Sequence, residues 1–136
     1  MRKFAVTLGL VLVVFAPIAG QRPSVAGVWR MERYEGGGSV GPATGQLTLV
    51  DGRFSLIYAM TGPEGAPSGR AHAGRYRVDG NALALDVEWS MEHVKGKGSV
   101  ASNPSTRKPS FELKGNTLVL KFENGAVQQF ARIAGK

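Results

Sequence analysis

The stretch "AHAGRYRVDGNALALDVEWS", from Ala71 to Ser90, decides the fold. On both sides of Asp79-Gly80-Asn81, apolar and polar residues alternate with a period of two, as they do in a strand with one buried face. The spacing of three and four residues that an amphipathic helix needs is not sustained. Asp-Gly and Gly-Asn pairs supply the positive φ angles of tight hairpins. The stretch therefore predicts two antiparallel strands joined by a short turn.

The same pattern continues in both directions along the chain. Turn signals stand at Asp51-Gly52, Gly115-Asn116 and Asn124-Gly125, each between alternating runs. Because consecutive strands linked by hairpins can close on themselves and remove their exposed edges, we predict an all-β fold, an eight-stranded antiparallel up-and-down barrel. An open β-sandwich is the alternative. The expected strands are about 27–35, 45–50, 53–60, 70–78, 82–94, 108–114, 117–123 and 126–134.

The first twenty residues are typical of a secretory signal peptide. A basic head, Met1 to Lys3, precedes an apolar run over 4–15 and a small-residue end over 16–20. We predict cleavage near residue 19 or 20, export to the periplasm or out of the cell, and a single barrel domain over 21–136. An uncleaved anchor is the alternative, although the apolar run is shorter than the ~20 residues of a membrane span.

Composition excludes several classes of function. The chain has no cysteine, which excludes disulfides and thiolate metal sites. Without Arg2 and Lys3, the 15 remaining basic and 10 acidic residues give a net charge of +5. The basic side chains are scattered singly, so we expect no nucleic-acid binding and only weak attraction to anionic surfaces. The sequence indicates no oligomeric state.

The lengths of the predicted loops indicate a barrel that is closed at one end and open at the other. The segments 36–44, 61–69 and 95–108 are rich in Gly, Ser and Pro, and in an up-and-down barrel all three lie at one end. Tight turns close the other end. Binding residues are often carried on loops, and barrel mouths are common ligand sites. The densest basic group, Lys95, Lys97, Arg107 and Lys108, lies in or beside the third segment.

Alternation assigns the side chains that face the lumen. On this basis we predict the ligand-binding residues Tyr58, Met60, His72, Tyr76, Trp89, Met91 and His93. Gly74 shares this face and leaves a gap, whereas the alternative is a lumen filled by side chains. The hairpin register separates the two histidines by roughly 13–20 Å, at ~3.3 Å per residue, so we predict no metal site and no cofactor.

Several stretches resemble known proteins. "GVWR", with Gly27 and Trp29, resembles the Gly-x-Trp signature that opens lipocalins. "DGRFS" (51–55), Ala71 to Ser90, "FELKGNTLVL" (111–120) and "FARI" (130–133) resemble bacterial lipocalin-like domain proteins. The resemblance implies an eight-stranded calycin-type barrel. It also implies that Arg132, which closure brings beside Trp29, packs over that indole, so that Gly27, Trp29 and Arg132 form a structural latch.

Three hypotheses for function follow. The leading one is an exported lipocalin-like protein that binds a small hydrophobic molecule in its lumen. The second is a small enzyme of the isomerase or cyclase type, with His93 or His72 as the acid or base. No catalytic motif occurs, so no catalytic residue is assigned and we do not favour an enzyme. The third is a surface interaction module that uses the basic segment 95–108.

Overall fold

The structure is a computed structural model that describes residues 24–62, 65–94, 96 and 98–135. The predicted signal peptide, residues 1–20, lies outside them. In the described part of the chain, no helix is long and apolar enough to cross a membrane. The strands there are β1 (Gly27–Gly36), β2 (Ser39–Val50), β3 (Arg53–Thr61), β4 (Pro67–Asp79), β5 (Ala82–Val94), β6 (Gly98–Ser102), β7 (Ser105–Arg107), β8 (Ser110–Lys114), β9 (Thr117–Lys121) and β10 (Val127–Ala134).

The strands close into an antiparallel barrel. β1 pairs with β2 on one side and with β10 on the other, and β4 pairs with β5. β6, β7 and β8 follow one another down the free edge of β5, so together they occupy one strand position. The barrel thus has eight positions, and the predicted eight-stranded antiparallel up-and-down barrel is confirmed.

Two of the three predicted long loops are largely strand. β2 begins at Ser39, so the 36–44 segment is reduced to a tight turn at Gly37 and Gly38, whose φ angles are 57° and 82°. The segment 95–108 contains β6 and β7. Its composition suggested a flexible loop, but pairing with the open edge of β5 gives its backbone hydrogen-bond partners and hence strand structure.

The core fills the barrel from one end. Its most completely buried large side chains come from five strands: Trp29, Met31, Leu47, Leu49, Leu83, Leu118, Leu120 and Phe130. Below them the chain enters through Ser24–Ala26 and leaves after Ala134, and we call this region the closed end. Apolar burial of this kind, at ~25 cal/mol per Å², is the main force that holds the barrel together.

Arg132 covers Trp29 at the closed end. Its guanidinium carbon lies 4.0 Å from the centre of the indole ring, and its two terminal nitrogens donate to the carbonyls of Ala26 and Ser24, each at 2.7 Å. The indole Nε1 donates to the carbonyl of Val25 at 2.9 Å. Gly27 has a φ of 136°, and a Cβ there would meet the Arg132 guanidinium at 2.9 Å. The indole N–H of Trp29 and both terminal nitrogens of Arg132 therefore have hydrogen-bond partners.

A β-bulge in β5 changes which side chains face the lumen. Gly74 pairs with Val87 and Ala73 with Trp89, so Glu88 is an extra residue on β5. A Cβ on Gly74 would collide with the carbonyl oxygen of Asp86 and lie 2.9 Å from the amide nitrogen of Glu88. The gap expected at Gly74 is therefore filled by backbone. Because an extra residue reverses the alternation, every residue of β5 beyond Glu88 changes face.

Candidate functional site

Three predicted ligand-binding residues face outward. Trp89 is 47% exposed and Met91 38% exposed, and His93 is exposed as well, whereas the intervening Ser90 is buried. The inward orientation predicted for Trp89, Met91 and His93 is wrong, because the bulge at Glu88 turns them out of the barrel. His93 therefore cannot act on a molecule held in the lumen.

Met91 and His93, but not Trp89, line a shallow apolar depression on β2 to β5, which we call the outer groove. Its volume is about 370 Å³. Several of the residues that line it are small, and Ile57, one of the larger ones, is 62% exposed. The groove is lined by Thr44, Gly45, Ile57, Tyr58, Ala59, Gly69, Arg70, Ala71, Met91 and His93.

Inside the barrel, a small space remains above the core, which we call the lumen cavity. Its volume is about 20 Å³, enough for roughly one water molecule. The part of the lumen that the described residues around this cavity enclose is therefore nearly filled by side chains. The cavity is lined by Phe54, Leu56, Tyr58, His72, Leu85, Val87, Arg107, Phe122 and Gln128.

Of the other predicted ligand-binding residues, Tyr58 and His72 line the lumen cavity. Their ring centres are 6.4 Å apart, and Tyr34 stacks on the far side of Tyr58 at 5.9 Å. Met60 and Tyr76 are partly buried and pack against the core, but they do not line the cavity. Tyr58 and His72 are thus the predicted residues that the structure brings together inside.

Two buried polar atoms of the lumen cavity lack partners. Among the residues that the structure describes, neither His72 Nδ1 nor Gln128 Oε1 has a hydrogen-bond partner. Gln128 is 4% exposed. An unsatisfied buried polar atom typically costs about 1–3 kcal/mol. These two atoms lie on opposite sides of the barrel, on β4 and β10, and together they indicate a place where a polar group can be received.

Two arginines on different strands lie near this cavity: Arg107, which is exposed to solvent, lines it, whereas Arg70 lines the outer groove. Arg70 on β4 donates to Glu92 Oε1 from Nη2 at 3.0 Å and from Nε at 3.3 Å, and it also hydrogen-bonds Tyr58. Arg107 on β7 pairs with buried Leu85 and lines the cavity. Among the described residues, no carboxylate lies within ion-pair distance of its guanidinium.

This environment keeps His72 neutral. Burial, followed by the charges of Arg107 and Arg70, lowers the pKa of His72 to about 4. Burial also raises the pKa of Tyr58, against the opposing charge of Arg70. At neutral pH both side chains are therefore uncharged hydrogen-bonding groups. An imidazole with a pKa of about 4 is a weak general base at neutral pH, which makes the predicted catalytic role of His72 less favourable.

A second depression of about 330 Å³, which we call the side cleft, lies outside the wall next to the lumen cavity. It separates β7 and β8 from the turn between β9 and β10. Arg107 and Phe122 line both spaces, so these two side chains form the partition between interior and solvent. The side cleft is lined by Thr106, Arg107, Lys108, Pro109, Phe122, Glu123 and Asn124.

The basic segment 95–108 does not form one surface in the described part of the chain. Lys95 and Lys97 lie outside the described residues. Arg107 faces the lumen cavity, whereas Lys108 forms an ion pair with Asp79 at 2.5 Å. The described basic residues thus point to different places, and the polymer-binding hypothesis loses its expected surface. Within the same described ranges, no group of three or more His, Asp or Glu side chains is arranged to hold a metal ion.

The sequence analysis missed Arg70, Gln128 and Arg107. Arg70 has the parity of His72 on β4, and Gln128 has the parity of buried Phe130 on β10, so strict alternation predicts both as inward. No comparable signal existed for Arg107, because its orientation depends on the pairing of β7 with β5. The ligand-binding residues predicted from the sequence were mainly aromatic and sulfur-containing, so the polar residues at inward positions were not among them.

No protein-family model matches the chain, and no curated protein is similar to it. Two solved structures are similar. A lipocalin-like protein from Bacteroides uniformis ATCC 8492 is 18% identical with a TM-score of 0.46, over 79% of this chain and 97% of the other. An uncharacterized protein from Bacteroides eggerthii DSM 20697 is 16% identical with a TM-score of 0.48, over 79% and 98%. The likeness concerns the barrel fold and carries no ligand or activity to this chain.

Proposed function

We propose that the mature chain is exported and that its barrel binds a small, mainly apolar molecule, which enters the lumen from the side cleft. The observation that carries this proposal is the partition. Arg107 and Phe122 each line both the lumen cavity and the side cleft. Rotation of these two side chains joins a space of about 20 Å³ to one of about 330 Å³. The joined space is large enough for a small ligand.

The residues that line the lumen cavity favour a ligand with an apolar body. Phe54, Leu56, Leu85 and Val87 form the inner wall, and Phe122 stands at the entrance. A ligand that buries about 150 Å² of apolar surface gains about 4 kcal/mol, at ~25 cal/mol per Å². That gain corresponds to a dissociation constant of roughly 1 mM before any polar contact is counted. Displacement of Phe122 and Arg107 opposes binding, so the ligand must replace the contacts that these side chains lose.

Octanol is a suitable neutral probe for this proposal. We expect octanol to shift the backbone amide signals of Val87 and Gln128 in a nuclear magnetic resonance titration. The Phe122→Ala variant, which widens the partition, should bind octanol several-fold more tightly, and Leu85→Phe, which narrows the lumen, should bind it more weakly. Met91→Ala alters only the outer groove and should leave the affinity unchanged.

The same titration can overturn the proposal. Shifts confined to Ala71 and its neighbours, together with loss of binding in Met91→Ala, would assign the probe to the outer groove. Absence of any shift up to the solubility limit of octanol, in both the parent chain and Phe122→Ala, would exclude a lumen site of this kind. Export is tested separately, by determining the N-terminal residue of the protein recovered from its native compartment.

A further inference from the structure

We infer that the natural ligand of the lumen is a small alcohol and that its hydroxyl group is bound between His72 and Gln128. This inference rests on the proposed function and adds the chemical class of the ligand. The feature that carries it is a pair of buried atoms, His72 Nδ1 and Gln128 Oε1, which lack hydrogen-bond partners among the described residues. Both residues line the lumen cavity.

Gln128 is a polar residue at a position of the core. Its side chain is 4% exposed, and its partner on β9, Leu120, is fully buried. Phe54 and Phe122 line the same cavity. An amide withdrawn from water among such side chains is costly unless it is hydrogen-bonded. An apolar residue would pack here without that cost, so packing alone does not account for the amide.

His72 reaches the same cavity from the opposite side of the barrel. It lies on β4, where it pairs with the buried Ser90 of β5. Burial and the nearby arginine charges lower its pKa to about 4, so its imidazole is neutral at neutral pH. A neutral imidazole has one N–H and one bare nitrogen, and Nδ1 is a donor or an acceptor according to the tautomer.

A hydroxyl group fits between these two side chains, because it has one donor hydrogen and two acceptor lone pairs. In the orientation that the structure gives the Gln128 amide, the hydroxyl donates to Oε1 and accepts from the Nδ1–H tautomer of His72. An ether or ketone oxygen only accepts, so it leaves Oε1 without a donor. Both unpartnered atoms therefore select a ligand group that donates and accepts.

The same cavity disfavours a charged group. No carboxylate is among the described residues that line it, and Arg107, its one cationic residue there, is exposed to solvent. A carboxylate or ammonium group would lose its hydration on entry without a buried counterion. The cavity volume of about 20 Å³ suits one oxygen atom. The hydrocarbon part of the alcohol then occupies the space that opens when Phe122 and Arg107 rotate.

Three probes test the inference: hexanol, its isomer methyl pentyl ether, and hexanoate. The first two contain the same atoms, but only the alcohol donates a hydrogen bond. In calorimetric or resonance titrations at neutral pH, we expect hexanol to bind about tenfold more tightly than the ether, and hexanoate to bind most weakly. Gln128→Leu removes the amide at similar side-chain size, so it should abolish the preference for hexanol over the ether. Gln129→Leu, at the adjacent and less buried position of β10, is the matched control and should keep that preference.

The imidazole nitrogen signals of His72 give a second readout, which needs no variant. Hexanol should shift the Nδ1 signal of His72 more than the ether does, and His93, which is exposed on the outer face, is the internal control. If Gln128→Leu does not fold, these signals in the parent chain decide.

The outcomes separate the inference from the proposed function. Equal binding of hexanol and the ether, or an unchanged preference in a folded Gln128→Leu variant, overturns the inference and leaves the lumen site in place. Tightest binding by hexanoate also overturns it. Absence of binding by all three probes overturns both the inference and the proposed function.

Discussion

The closed end and the lumen cavity are each lined by an arginine, but the two arginines differ in their hydrogen-bond and ion-pair partners. Arg132 at the closed end lies over Trp29 and donates to two carbonyls at 2.7 Å. Arg107, which lines the lumen cavity but is exposed to solvent, has no ion pair among the described residues, and His72 and Gln128, which line the same cavity, each have an unpartnered atom. The first region satisfies its own polar groups and stabilises the barrel. The second leaves them available, which is what a binding site requires.

The largest effect should come from breaking the closed end. Trp29→Ala removes the largest of the fully buried side chains among the described residues, leaves a cavity and takes away the ring on which the Arg132 guanidinium stacks. We expect the free energy of unfolding to fall by about 3–5 kcal/mol. Trp89→Ala is the matched control, because that indole is 47% exposed and should cost below about 0.5 kcal/mol. Urea denaturation measures both. Equal losses in the two variants would contradict the assignment of Trp29 to the core and Trp89 to the surface.

The next effect tests the bulge that separates the two faces of β5. Gly74→Ala places a methyl group against the backbone of Asp86 and Glu88. We expect a loss of about 2–4 kcal/mol, or a bulge that shifts to another position. Gly69→Ala on the same strand is the control, because the nearest atom to its new Cβ, the Tyr58 carbonyl oxygen, is 3.9 Å away. A folded Gly74→Ala variant with parent-like stability would show that β5 does not approach Gly74 so closely.

The bulge also explains how far the sequence could predict the structure. Alternation and turn pairs located the hairpins and the closed barrel, because period and turn chemistry are local properties. The orientation of Trp89, Met91 and His93 was not predictable in this way, because one extra residue at Glu88 reverses the parity of all that follow. The orientation of Arg107 was not predictable from the sequence for a related reason. Its orientation depends on pairing between β7 and β5, which is a tertiary contact between residues 18 to 22 positions apart.

The two arginines can be compared directly by the same substitution. Arg132→Gln removes the stacked charge and at least one of two hydrogen bonds to carbonyls, so we expect a loss of about 2 kcal/mol. Arg107→Gln removes a charge without a partner among the described residues, so stability should change by less than about 0.5 kcal/mol, in either direction. Thermal or urea unfolding at low and high salt measures both. A large loss in Arg107→Gln would mean that Arg107 supports the fold rather than a ligand.

The smallest effect should be a dependence of stability on pH that arises at His72. Its pKa is about 4 in the folded barrel and about 6.5 in the unfolded chain, so between these values the unfolded chain binds more protons. The free energy of unfolding therefore falls as the pH falls from about 6.5 towards 4. The full shift is worth about 3 kcal/mol, but His72 is only partly buried, and screening by solvent reduces the expected loss to about 1 kcal/mol.

Carboxyl groups with lowered pKa values, such as Glu88 beside Arg53, lose their stabilising charge only at lower pH, so the slope above about pH 5 belongs to His72. His72→Gln should remove that slope in urea denaturation experiments. A slope that persists in His72→Gln would place its origin elsewhere.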